Sequence, residues 1–302
     1  VNLAGNPDYA DVLRELRART DAFVQAYGGP LEPLRGAFTP STEPHPVAAA
    51  LVGAKPDADG WVRMHDGRSL RGWTGDSKLW KVADGAITGQ TDGNLSANSF
   101  LTWTFNTVQN FELRAQVRIS ARGNSGIQYR GQPRPDLGLY AVSGYQCDVV
   151  PLRADYNGML YEEKGRRILA HAGERVIIDP QGHPWVVGNI DVPEISADGW
   201  HEYRVLARAN HLRHWIDGHL IVDVIDLDEQ HRAAEGVVAV QVHVGPPMQV
   251  QFKDLRIRHL PDDLPVESAA DHPIPASARG VRPQGKLPAD WQPPIYGERD
   301  SP

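Results

Sequence analysis

The sequence predicts an all-β fold: a jelly-roll sandwich of two antiparallel sheets, with one helix before it and a proline-rich tail after it. Short runs of alternating apolar and polar residues recur over residues 61–260, separated by turns rich in Gly and Asp, which is the spacing of a sandwich or jelly roll. Asp84-Gly85 and Asp217-Gly218 stand between paired runs, where a two-residue hairpin needs positive φ. Only residues 8–27 sustain a helical period. A chain of 302 residues can hold one such core with appendages, since a sandwich takes roughly 200 to 250 residues.

The helix is predicted because Val12, Leu13, Leu16, Phe23, Val24 and Tyr27 recur at three- and four-residue spacing, with Gly28-Gly29-Pro30 to end it. Residues 31–59 are rich in Pro, Ala and Gly without a period and read as linker. The domain reading is therefore helix and linker over 1–59, the sandwich over 60–261, and an extended proline-rich tail over 262–302, which either wraps the domain or moves freely. Within the sandwich, residues 61–75 and a hairpin at 80–89 come first. Strands follow at 100–105, 111–119, 125–129 and 145–150. Residues 155–194 are less regular and read as long loops on the binding side of the scaffold. Residues 200–207, a hairpin around Asp217-Gly218, and runs at 236–244 and 250–260 complete the set.

The central stretch sets up a polar face. In residues 111–119, Phe111, Leu113, Ala115, Val117 and Ile119 share one side and Glu112, Arg114, Gln116 and Arg118 the other. The phase continues through Ile127 and Tyr129 against Gln128 and Arg130, then through Tyr145, Cys147 and Val149 against Gln146 and Asp148. Gln128, Arg130, Gln146 and Asp148 are thus expected to line one concave surface, with Asn124 in the turn at its edge. A salt bridge between Arg130 and Asp148 is the competing structural reading. In a distant strand, Gln241 and His243 share a face opposite Val240 and Val242.

A net charge of -7 gives no electrostatic reason to expect nucleic acid or an anionic membrane as partner, since both select clustered Lys and Arg. A neutral or polar ligand fits better. No apolar run reaches the roughly 20 residues of a membrane helix. The chain begins with Val1, so a removed leader, and with it export or a periplasmic location, stays open. The one cysteine, Cys147, excludes an intrachain disulfide, and its apolar phase points to a buried inert thiol. Trp73, Trp80, Trp103, Trp200 and Trp215 read as core, with Trp103 and Trp185 the two to check as sugar platforms.

The pieces "HDGRSLRGW", "WKVADGAITG", "NFELRAQVRI", "GNSGIQYRG", "SGYQCDVV", "WHEYRVLARANHLRHWIDG" and "VAVQVHVGPPMQVQFKDLRIRHL" together resemble the 3-keto-disaccharide hydrolase domain family, in that family's order. The resemblance implies a concanavalin A-like jelly roll and action on glucosides oxidised at the sugar's C3. Where the family commonly has Gly-Tyr-Glu, this chain has Gly144-Tyr145-Gln146-Cys147-Asp148. The acidic position is displaced by two residues, which keeps it on the same face of a strand. The opening "NLAGNPDYADVLRELRARTDAF" resembles the carboxy-terminal end of sulfatases, and no chemistry follows from it.

A ketone at C3 acidifies the C2 proton, so the glycosidic bond can break by elimination and water can then add back. That route needs a base, an acid and a stabiliser for the enolate. Asp148, Glu162 and His243 are the candidate base and acid. Arg130, Gln128, Gln146, Gln241, Asn124, Tyr161 and Arg166 are the candidate substrate contacts, with Glu162 and Arg166 of second rank because they lie in the charged run "EEKGRR". By fold analogy a structural calcium is an option, and Asp148, Glu162 and His243 are a chemically apt set for a divalent ion. The competing expectation is a non-catalytic lectin-like module of a larger protein, recognisable by an open aromatic platform instead of a pocket.

Overall fold

Alternating sequences close into a sandwich because each sheet has one apolar face to hide, and two such faces hide each other. The computed structural model describes residues 56–298, and the predicted helix at 8–27 lies outside them. The chain forms β1 (Trp61–Arg63), β2 (Trp73–Thr74), β3 (Trp80–Ala83), β4 (Ala86–Thr91), β5 (Ser99–Trp103), β6 (Phe111–Ile119), β7 (Ser125–Pro133), β8 (Val142–Val149) and β9 (Leu160–Glu163). It continues through β10 (Arg167–Ala170), β11 (Glu174–Ile178), β12 (Pro184–Asn189), β13 (His201–Arg208), β14 (His211–Ile216), β15 (His219–Asp226), β16 (Val237–Val242), β17 (Met248–His259) and β18 (Arg279–Gly280). A single 3-10 turn, Tyr296–Glu298, is the helical element among the described residues.

The large sheet runs β18-β12-β11-β15-β14-β13-β6-β17-β4-β3, with β1 also on β17, and the small sheet runs β10-β9-β8-β7-β16-β5-β2. Their inner faces meet in one core, where Phe111 of the large sheet packs edge-on to Tyr129 of the small sheet at 5.8 Å. Leu113, Ala115 and Val117 are buried on the phase the sequence assigns to the core. Asp84-Gly85 and Asp217-Gly218 all have positive φ, as type I′ hairpin turns demand.

Three expectations change. Residues 155–194 are not long loops but hold β9 to β12, whose brevity hid their period. The sheets are not wholly antiparallel, because the chain crosses from β10 in the small sheet to β11 in the large one, and β11 pairs parallel to β15. Trp103 and Trp185 are both buried, so neither is a platform for sugar. The proline-rich tail wraps the domain: β18 pairs with the outermost long strand, β12, and Tyr296 packs on Trp185 at 5.1 Å. Covering that edge removes a row of free peptide groups that would otherwise invite another strand.

Candidate active site

Every second residue of β7, β8, β9 and β16 faces away from the core and builds the outer face of the small sheet. Register places Gln128 opposite Gln146 and Gly126 opposite Asp148, then Gln146 opposite Tyr161 and Gly144 opposite Glu163. The Oγ of Ser125 donates to Gln241 O at 2.6 Å, which fastens the start of β7 to β16. Gln128, Gln146, Asp148, Glu163 and Gln241 are all buried. Gly126 makes room for this arrangement, because a Cβ there would stand 2.5 Å from the Gln146 side chain. Across that space Gln146 Nε2 donates to Asp148 Oδ1 at 2.7 Å.

Burial pushes the Asp148 carboxyl up to about 8, with the Glu163 carboxylate adding to the rise and the Gln146 amide opposing it. Asp148 therefore carries its proton at neutral pH and is an acid poised near the working range, as proton-transfer catalysis favours. Glu163 accepts from Asn98 Nδ2 at 3.4 Å and lies 3.6 Å from Lys164 Nζ. Asn98 in turn accepts from the backbone N–H of Val244 at 3.0 Å, so it ties Glu163 to the segment carrying His243. The imidazole of His243 contacts the carbonyl of Val244 through Nδ1. Burial raises the Tyr161 phenol as well.

Around these groups the hydrogen bonding is incomplete. Gln128 Oε1, Gln146 Oε1, both amide atoms of Gln241 and Asn124 Oδ1 are buried and have no hydrogen-bond partner. A buried polar atom without a partner costs about 1–3 kcal/mol, and native folds keep few of them. Four of these atoms stand on the sheet face and the fifth, of Asn124, in the turn at its end.

The structure thus brings Asp148, Gln128, Gln146, Gln241 and Tyr161 to one face, with Asn124 and His243 at its end. It does not bring Arg130, Glu162 and Arg166 there. Arg130 has φ 48° within a register shift that follows Tyr129, and this bulge swings the side chain off the expected phase. Its guanidinium is buried and donates to Gln109 O at 2.8 Å and to Ala233 O at 3.1 Å, not to Asp148. Glu162 accepts from Arg166 Nε at 2.8 Å. Arg166 spans to Asp226 at 2.7 Å and to Asp228 at 3.2 Å, while Tyr145 OH donates to Asp226 at 2.6 Å. Tyr145 belongs to the core phase, so this closed network sits behind the sheet.

Glu163 replaces Glu162 as the glutamate of the face. The signal was present: Leu160 fixes the core phase of β9, which puts Tyr161 and Glu163 together on the other side. The donor set does not fit a metal ion, for Glu162 is held by Arg166 and no three His, Cys, Asp or Glu side chains converge among the described residues. Hollows lined by described residues lie elsewhere, among them one of about 900 Å³ between residues 151–157 and 190–197 and one of about 370 Å³ beside Trp61 and Arg114. Neither contains the buried carboxyl pair, so chemistry and not volume locates the site.

Fold and face together define a β-sandwich protein with a buried carboxyl pair on the polar face of its small sheet. The chain belongs to the 3-keto-alpha-glucoside-1,2-lyase-like domain family, whose pattern matches residues 60–258. It is 34% identical over 84 residues to the 3-keto-disaccharide hydrolase of Bacteroides thetaiotaomicron, a match covering 25% of this chain and 29% of that protein. A solved structure from Parabacteroides distasonis assigned as a glycosyl hydrolase is 23% identical with a TM-score of 0.47, covering 68% of this chain and 96% of that one. A carbohydrate binding module from Bacillus subtilis is 15% identical with a TM-score of 0.43, covering 62% and 95%.

Proposed function

We propose that the chain cleaves glycosidic bonds of 3-keto-glycosides at the Asp148 face, by removal of the C2 proton, elimination and hydration. The observation that carries this reading is the buried Asp148 carboxyl beside buried Glu163, among amide atoms that lack partners. Glu163, or His243 at the end of the face, takes the proton from C2. The C–H electron pair moves into the enolate of the C3 ketone, whose oxygen accepts hydrogen bonds from an amide such as Gln241 Nε2. Collapse of the enolate forms the C1–C2 double bond and expels the C1 oxygen, which Asp148 protonates as it leaves. Water then adds at C1 and a proton returns to C2, so the products are the aglycone and the free 3-keto sugar.

This route asks for an acid and a base but not for the paired-carboxylate distances of ordinary glycosidases. Family membership and the similarity to a 3-keto-disaccharide hydrolase support the substrate class. Burial of Trp103 and Trp185 removes the two tryptophans that were the candidate platforms of a lectin-like module. The test is aglycone release from 3-keto-glucosides and from their unoxidised parents. Release from the keto substrates alone is expected, and no release from any of them contradicts the reading.

A further inference from the structure

The outer face of the large sheet holds a hollow of different chemistry, cationic side chains set against leucine. In register across β17, β6 and β13 stand Arg258, Glu112 and Leu206. Glu112 is buried, and its carboxylate accepts from Arg114 at 2.9 Å, Arg204 at 2.7 Å and Arg258 at 2.6 Å. Indole rings hold two of these guanidinium groups in place: Arg204 lies 4.2 Å over Trp215 and Arg258 lies 4.9 Å over Trp61. Beside them opens a hollow of about 300 Å³, lined by Glu112, Arg204, Arg208 and Arg258 and walled by Leu206, Leu260 and Leu264.

The charges in and around this hollow do not balance. Its lining carries three guanidinium groups, Arg204, Arg208 and Arg258, against the single carboxylate of Glu112, an excess of two positive charges. Arg208 is exposed, and its guanidinium has no ion pair among the described residues. The Nε of Arg258 is buried without a hydrogen-bond partner. A guanidinium fork suits a group with two or more oxygens in one plane, and leucine walls suit the C–H face of a ring.

We propose that this hollow binds the acidic group, carboxylate or sulfate, of a charged sugar, as a second carbohydrate site on the sheet opposite the Asp148 face. The choice of a sugar over another small anion rests on the carbohydrate reading above. A local excess of two charges on a chain of net charge -7 suits one acidic group and not a long nucleic acid, which gains affinity from many phosphate contacts.

The test is calorimetric titration of the full chain with glucuronate, glucose 6-sulfate, glucose and inorganic sulfate. At least one charged sugar should bind about tenfold tighter than both glucose and inorganic sulfate, the scale of one charge-assisted contact. Arg208→Gln, an exposed change that breaks no pair, should weaken it by about tenfold. Arg258→Lys, which keeps a cation beside Glu112 but removes the fork, should weaken it as well, with thermal melting confirming that both variants fold. Asp148→Asn should leave this binding unchanged. Charged sugars that bind no better than glucose or sulfate, or that ignore Arg208→Gln, overturn the site. Loss of aglycone release with sugar-acid binding intact strikes the catalytic reading alone, and the converse strikes only this one.

Discussion

Glu162 and Glu163 are neighbours on β9 that face opposite sides of the small sheet, and they differ in how completely their surroundings are paired. Behind the sheet, Glu162 meets Arg166, which also reaches Asp226 and Asp228, while Tyr145 completes Asp226. In front of it, Glu163 and Asp148 are two buried carboxyl groups that meet amide donors and, beside Glu163, the exposed Lys164 ammonium, while amide atoms of Gln128, Gln146 and Gln241 lack partners. A closed network of charges holds structure in place. An open one leaves free energy to be recovered by a bound molecule.

Breaking the closed network should cost the most. Arg166→Ala leaves Glu162 and Asp226 without their cation, while Asp228 keeps His231 at 2.9 Å, and is expected to lower stability by about 3–5 kcal/mol, read from denaturant unfolding. Glu163→Gln should do the reverse: keep the fold and lower aglycone release by about 10²-fold, the scale of a general acid-base group. If both variants lose stability alike and neither changes the rate of the folded fraction, the contrast between the two faces fails. Gly126→Ala, whose new methyl would displace the Gln146 side chain, should lower the rate by about tenfold through lost positioning, with little change in melting temperature.

The remaining effect is a slope. Asp148 has a folded pKa raised from 3.8 to about 8, so between those values the folded chain holds a proton that the unfolded chain releases. Stability is therefore highest below that window and declines as pH rises through it. In Asp148→Asn this contribution to the decline should vanish, visible as a flatter plot of melting temperature against pH.

Much of this was readable from the alternation of residues. Phe111 to Val117 fixed the core phase of β6, and Gln128, Gln146 and Asp148 fell on the predicted polar face because β7 and β8 pair without interruption from Ser125 to Tyr129. Arg130 escaped because a bulge changes the phase, and period-two reading has no means of seeing one extra residue. The Glu162 network escaped because its partners, Asp226 and Asp228, lie some sixty residues away and meet it only in the folded sandwich. The basic hollow escaped for a different reason: a total charge of -7 averages over both outer faces and hides a local excess of arginine on one of them.

The central claim is that Asp148 acts as a neutral acid on a sugar bound at the small sheet. The most direct measurement is the pH dependence of aglycone release from a 3-keto-glucoside, for the natural chain and for Asp148→Asn. The natural chain should lose activity as pH rises through about 8, where the acid gives up its proton, and the residual rate of the variant should show no such limb. A natural-chain rate that stays level through that pH, or a variant that keeps the same limb, contradicts the account.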